Sequence, residues 1–117
     1  MDIKFEDKKL EKLANDPRKC QKEMGERRAT LFLKRLVDLR LADTLEDIRD
    51  LPGRFHELTN NRKGQWACDL DHPYRLIFIP QESPIPTNKD GQYIWSEILG
   101  VEIIYTSESG FGIFKAG

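Results

Sequence analysis

Residues 52–79 read Pro52-Gly53-Arg54-Phe55-His56-Glu57-Leu58-Thr59-Asn60-Asn61-Arg62-Lys63-Gly64-Gln65-Trp66-Ala67-Cys68-Asp69-Leu70-Asp71-His72-Pro73-Tyr74-Arg75-Leu76-Ile77-Phe78-Ile79. Residues 55–58, 65–70 and 74–79 are strand-like runs. Between them stand Asn60-Asn61-Arg62-Lys63-Gly64 and Asp71-His72-Pro73, whose Asn, Gly, Asp and Pro favour turns. Short strands joined by short turns pair antiparallel. This stretch therefore predicts an antiparallel β unit, and it decides the fold class.

Before it, the pattern is helical. Residues 7–15 carry helix formers with Leu10 and Leu13 three apart, which suits a short amphipathic helix. Asn15-Asp16-Pro17 stops it and offers an N-cap before a proline at the first position of the next helix. Residues 18–40 hold no Pro and one Gly, Gly25; Ala29, Phe32, Leu33, Leu36, Val37 and Arg40 recur at spacings of 3 and 4. That predicts one long helix, its apolar stripe facing a core and Lys34, Arg35 and Asp38 largely on the other side. Lys22, Arg27, Arg28, Lys34 and Arg35 read as a solvated face, or as nucleic-acid contacts. Thr44-Leu45-Glu46-Asp47 resembles a capping box opening one more turn. Residues 3–5 are too short an alternation to choose between a strand and a helix entry.

After the β unit, residues 80–92 hold three prolines and end near Asp90-Gly91, predicting an exposed loop. Residues 93–105 are strand-like, with Gly100 a bulge or bend. Residues 106–117 form a Ser/Gly-rich tail, expected to be only partly ordered. Helices first and strands afterwards give an α+β domain over residues 1–105: two N-terminal helices packed on one face of a mostly antiparallel β-sheet. The other face is free, and function is to be sought there.

Composition bounds the function classes. With 117 residues, 38% hydrophobic and 33% charged, the chain has the make-up of one globular domain. No apolar run approaches the roughly 20 residues that cross a bilayer. The first residues are charged and lack the apolar core of a signal peptide. Two cysteines, Cys20 and Cys68, make no disulfide framework, so a reducing cytoplasm is expected. Net charge is −1, but residues 1–40 carry 12 Lys/Arg against 8 Asp/Glu, and residues 41–100 carry 6 against 10. A nucleic-acid site would have to be a local patch.

The side chains suited to chemistry are His56, Arg62, Lys63 and Arg75. Each also has a structural reading. His56 shares strand parity with Leu58, which would turn it toward a core. Arg62 and Lys63 lie in a turn where solvated charge is the default. Arg75 sits at mid-strand, where a cation needs a partner, either an acidic neighbour or a ligand. Trp66 shares parity with Cys68 and Leu70 and reads as core, with base stacking the alternative. Cys68 and His72 are two ligand types where a tetrahedral metal needs four, so no metal and no cofactor is expected.

The segments Pro52-Gly53-Arg54-Phe55-His56-Glu57-Leu58, Asn61-Arg62-Lys63-Gly64-Gln65-Trp66 and Tyr74-Arg75-Leu76-Ile77-Phe78, in that order, resemble the HigB branch of the RelE/ParE toxin superfamily. The Thr-Leu-Glu-Asp-Ile turn before Pro52 also looks like that branch, and the order of elements fits from about residue 3 to residue 104. The resemblance implies a RelE-like toxin of a type II toxin–antitoxin pair, which enters the ribosomal A site and cuts messenger RNA without a metal. Its partners would be the ribosome, the message and a small helix-turn-helix antitoxin (HigA-like) that also binds its own operator. Such cleavage needs a base for the 2′-OH, cations around the phosphate and an acid for the leaving oxygen. By resemblance His56 moves a proton, while Arg62, Lys63 and Arg75 grip phosphate. Relatives end their last strand with an acidic residue or Asn followed by Tyr and His. Here Val101-Glu102-Ile103-Ile104 continues as Tyr105-Thr106-Ser107-Glu108-Ser109-Gly110-Phe111, so that Tyr-His pair is missing. Two expectations follow: an endoribonuclease of reduced activity in which Tyr105 substitutes, or a catalytically inactive homologue that binds antitoxin and operator.

Overall fold

A computed structural model of the chain describes residues 1–104 and the strand Ile113–Lys115. Its helices are α1 (Lys8–Ala14), α2 (Pro17–Met24) and α3 (Glu26–Leu41). The expected long helix is thus two, broken at Gly25. That residue has φ 88° and ψ 159°, a region of backbone space that only glycine enters cheaply. The predicted starts are present: Asp7 caps α1 through Lys9 N at 2.8 Å, and Asp16 caps α2 through Lys19 N at 3.1 Å, with Pro17 at the first position. Thr44 and Asp47 form the reciprocal box over a single 3₁₀ turn, Leu45–Ile48.

The strands are β1 (Asp2–Phe5), β2 (His56–Glu57), β3 (Trp66–Asp69), β4 (Tyr74–Pro80), β5 (Gly100–Ile103) and β6 (Ile113–Lys115). They lie in the order β1-β5-β4-β3-β2, with β6 pairing to β4. Among the described residues only β1 and β5 run parallel, Asp2 opposite Gly100; the other strand pairings are antiparallel. Residues 3–5 are therefore strand. Of the tail, β6 pairs with the start of β4, and the rest lies outside the described residues.

Between residues 93 and 99 the expected strand is absent. Trp95–Glu97 is a 3₁₀ turn, because Trp95 and Ile98, three apart, both point inward, which strand alternation forbids. Gly100 begins β5; a Cβ there would overlap the Gln81 side chain. The helices pack on one face of the sheet. Leu10, Leu13, Phe32, Leu36 and Leu39 join Trp66, Cys68, Leu76, Phe78, Val101 and Ile103 in one buried cluster. The α+β class follows, with N-terminal helices covering a mostly antiparallel sheet. Val37, expected in the stripe, is 46% exposed.

Arg35 corrects the reading of the α3 surface. It is 7% exposed, and its Nε donates to the Asp69 carbonyl at 2.8 Å. Arg28 is engaged too: it makes a two-pronged pair with Asp71, at 2.9 and 3.2 Å, and lies 3.7 Å above the Tyr74 ring. These two cations tie α3 to the ends of β3 and β4 rather than facing solvent. Among the described residues no helix is long and apolar enough to cross a membrane.

Candidate functional site

Register assigns every strand residue to a face. Trp66 pairs with Phe78 and Cys68 with Leu76, and all four belong to the helix-covered core. Alternation then places Ala67, Asp69, Arg75, Ile77 and Ile79 on the opposite face. His56 pairs with Ala67, so it joins them. The parity with Leu58 expected for His56 is real, but the shared face is the one turned away from the helices. Its centre is a small apolar patch of Ala67, Ile77 and Ile104, with Leu58 and Ile79 packed against it.

Around this patch the cations gather. Arg75, half-buried, lies opposite Asp69 across the β3–β4 pair. Burial holds the Arg75 guanidinium below its ordinary pKa, and the charges of Arg62 and Arg54 add to this while Asp69 opposes it. Three arginines therefore share one electrostatic neighbourhood. An arginine keeps its charge near neutrality even so. Arg62 lies in the turn after β2, and its Nε donates to Gln65 Oε1 at 3.0 Å. Arg54 is held by both oxygens of Asp69, at 2.9 and 3.1 Å, which raises its pKa.

Arg54 escaped the sequence reading as a site residue. The signal available was Gly53-Arg54 immediately before a strand. Arg54 adopts a left-handed φ of 54°, uncommon for a non-glycine residue, and Gly53 has φ 112°. A Cβ on Gly53 would stand 2.7 Å from the Arg35 guanidinium carbon, so glycine is needed for that close approach. His56 sits just past this turn, with Nδ1 2.6 Å from the Arg54 carbonyl oxygen.

Lys63 does not join the cluster. It projects from the same turn as Arg62 in another direction, 5.3 Å above the Tyr93 ring. There it lines a cavity of about 570 Å³ with Glu57, Asn88 and Trp95. Trp66 is fully buried; Trp95 meets it edge-on at 5.4 Å, so core packing is its role rather than stacking on a ligand. Cys68 is buried too, and desolvation pushes its thiol pKa up. His72 is exposed. Among the described residues no group of three His, Cys, Asp or Glu side chains is placed to hold a metal ion. Tyr105 lies outside the described residues.

What the arrangement can do is bind a polyanion over a sheet face. Its cations offer planar donors to phosphate oxygens, and an imidazole stands beside them. In comparisons with protein-family models, curated proteins and solved structures, nothing matches this chain.

Proposed function

We propose that this sheet face binds and cleaves RNA, and that the protein is the toxin of a type II toxin–antitoxin pair, a ribosome-dependent messenger endonuclease of the HigB kind. The observation that carries the reading is that Arg54, Arg62 and Arg75 are electrostatically coupled beside His56 on the sheet side turned away from the helices. In this reading His56 takes the proton of the 2′-OH as that oxygen attacks the adjacent phosphorus. Arg62 and Arg75 stabilise the charge that builds on the phosphoryl oxygens, a role that in other nucleases falls to metal ions. Tyr105 is the proposed donor to the leaving 5′-oxygen. The partners are the ribosome, the message and a helix-turn-helix antitoxin, and the compartment is the cytoplasm.

A second reading, a catalytically silent homologue that binds its antitoxin and operator complex, is favoured by one contact: Asp69 already neutralises Arg54. One experiment separates them. Wild type, His56→Ala and Arg75→Ala are added to a translating extract and message ends are mapped on the ribosome. The first reading expects A-site cleavage by wild type and a loss of about 100-fold or more in each variant. Absence of cleavage by wild type, with tight antitoxin binding retained, selects the second. Equal cleavage by all three places the chemistry elsewhere.

A further inference from the structure

The contact between His56 Nδ1 and the Arg54 carbonyl has a definite chemical meaning. A carbonyl oxygen only accepts, so a 2.6 Å approach by Nδ1 requires the proton to be on Nδ1. In the neutral ring the other nitrogen, Nε2, then carries the lone pair. Which nitrogen of an imidazole is protonated is set by the bond that the other makes.

The position of that carbonyl is in turn held from several sides. Arg54 has a left-handed backbone, which persists only where its surroundings over-determine it. Asp69 meets this turn and its neighbour Arg35 through three different groups. Its carboxylate takes both prongs of Arg54. Its backbone N–H donates to the Gly53 carbonyl at 2.7 Å. Its own carbonyl accepts from buried Arg35, whose guanidinium fills the space a Gly53 side chain would need.

We propose that Asp69 is a positioning residue: its carboxylate, by anchoring the Arg54 side chain, holds the Gly53–Arg54 turn so that His56 stays in the Nδ1–H tautomer, leaving Nε2 as the proton acceptor. This rests on the reading of His56 as the proton-transfer group. It adds a residue that touches neither RNA nor the reacting atoms and acts through Arg54. The device works from the backbone, so the arginine side chain is an anchor and the carbonyl is the part that meets the imidazole.

The chain has two histidines, and exposed His72 serves as an internal reference. The test is a long-range ¹H–¹⁵N correlation spectrum of the full-length, ¹⁵N-labelled protein, at a pH where both rings are neutral. His56 should show a protonated Nδ1 and a bare Nε2, while His72 shows the solution mixture dominated by Nε2–H. In Asp69→Ala the His56 signals should move to the His72 pattern, and in Asp69→Asn part of the way, with the His72 signals and cooperative unfolding unchanged. A wild-type His56 that looks like His72 overturns the proposal, and so does an Asp69→Ala spectrum identical to wild type. Message cleavage is a separate arm. Wild type with the Nδ1–H tautomer but no cleavage removes the RNA-cleaving reading and leaves the clamp standing.

Discussion

At Cys20 the side chain is fully buried, its Sγ 3.7 Å from Met24 Sδ, and burial with the nearby Asp16 charge pushes the thiol pKa from 9.0 up to about 11. The raised value favours the neutral form in the folded state. Its contribution is fully present below pH 9.0 and is lost as pH rises toward 11, because there the unfolded chain has released a proton that the native chain keeps. A shift of this size corresponds to roughly 2–3 kcal/mol. Urea unfolding midpoints should therefore fall between pH 9 and 11, and Cys20→Ala should flatten that part of the curve; equal slopes would refute the assignment. The same scale shows what residue types alone conceal. Arg35 and Lys34 are neighbours with like charge, yet one is buried and the other exposed. Spacing puts Arg35 beside the buried stripe, three residues after Phe32 and four before Leu39, but the partners that let a cation be buried there, Asp69 and Gly53, lie far along the chain. His56 and Arg75 were readable as candidates because their types are scarce within strands. Arg54 was hidden because its importance lies in a backbone conformation.

Helix and strand assignments depended on how local their causes are. The caps at Asp16 and Thr44 act within a few residues, so pattern reading found them. Strands β2, β3 and β4 were legible for the same reason, being bounded by turns of strong character. The break at Gly25 was not, for one glycine inside a helical pattern costs only about 1 kcal/mol and is often tolerated. Here it separates α2 from α3 and lets the two pack against each other. A methyl group at Gly25 meets no atom within 4 Å, so any penalty is conformational. Gly25→Ala should destabilise by about 1–3 kcal/mol, seen as a lower urea midpoint with unchanged slope. A neutral or stabilised Gly25→Ala would mean that α2 and α3 readily fuse. Residues 93–99 misled because Tyr93, Ile94 and Trp95 are strand-favouring types, while the Trp66 ring and the core beneath it dictate a turn.

For the whole molecule the net charge of −1 gives no long-range pull toward RNA. Binding would have to come from the local arginine set. If Arg54, Arg62 and Arg75 each displace a counterion, the logarithm of affinity for a single-stranded RNA should fall against the logarithm of salt with a slope near −2. Arg75→Ala should make that slope shallower by about 0.7, measured by fluorescence anisotropy across a salt series. A slope near zero would show that the face does not meet phosphate. The sheet also has a temporal side. β1 holds the first residues of the chain, yet its hydrogen-bonded neighbour is β5, which joins it to β4. During synthesis, at roughly 5–20 residues per second, β1 waits without its partner until residues 100–103 have been made. A nascent chain shorter than about residue 103 therefore lacks the strand that joins β1 to β4, and until that strand is made the sheet beneath the arginines is incomplete.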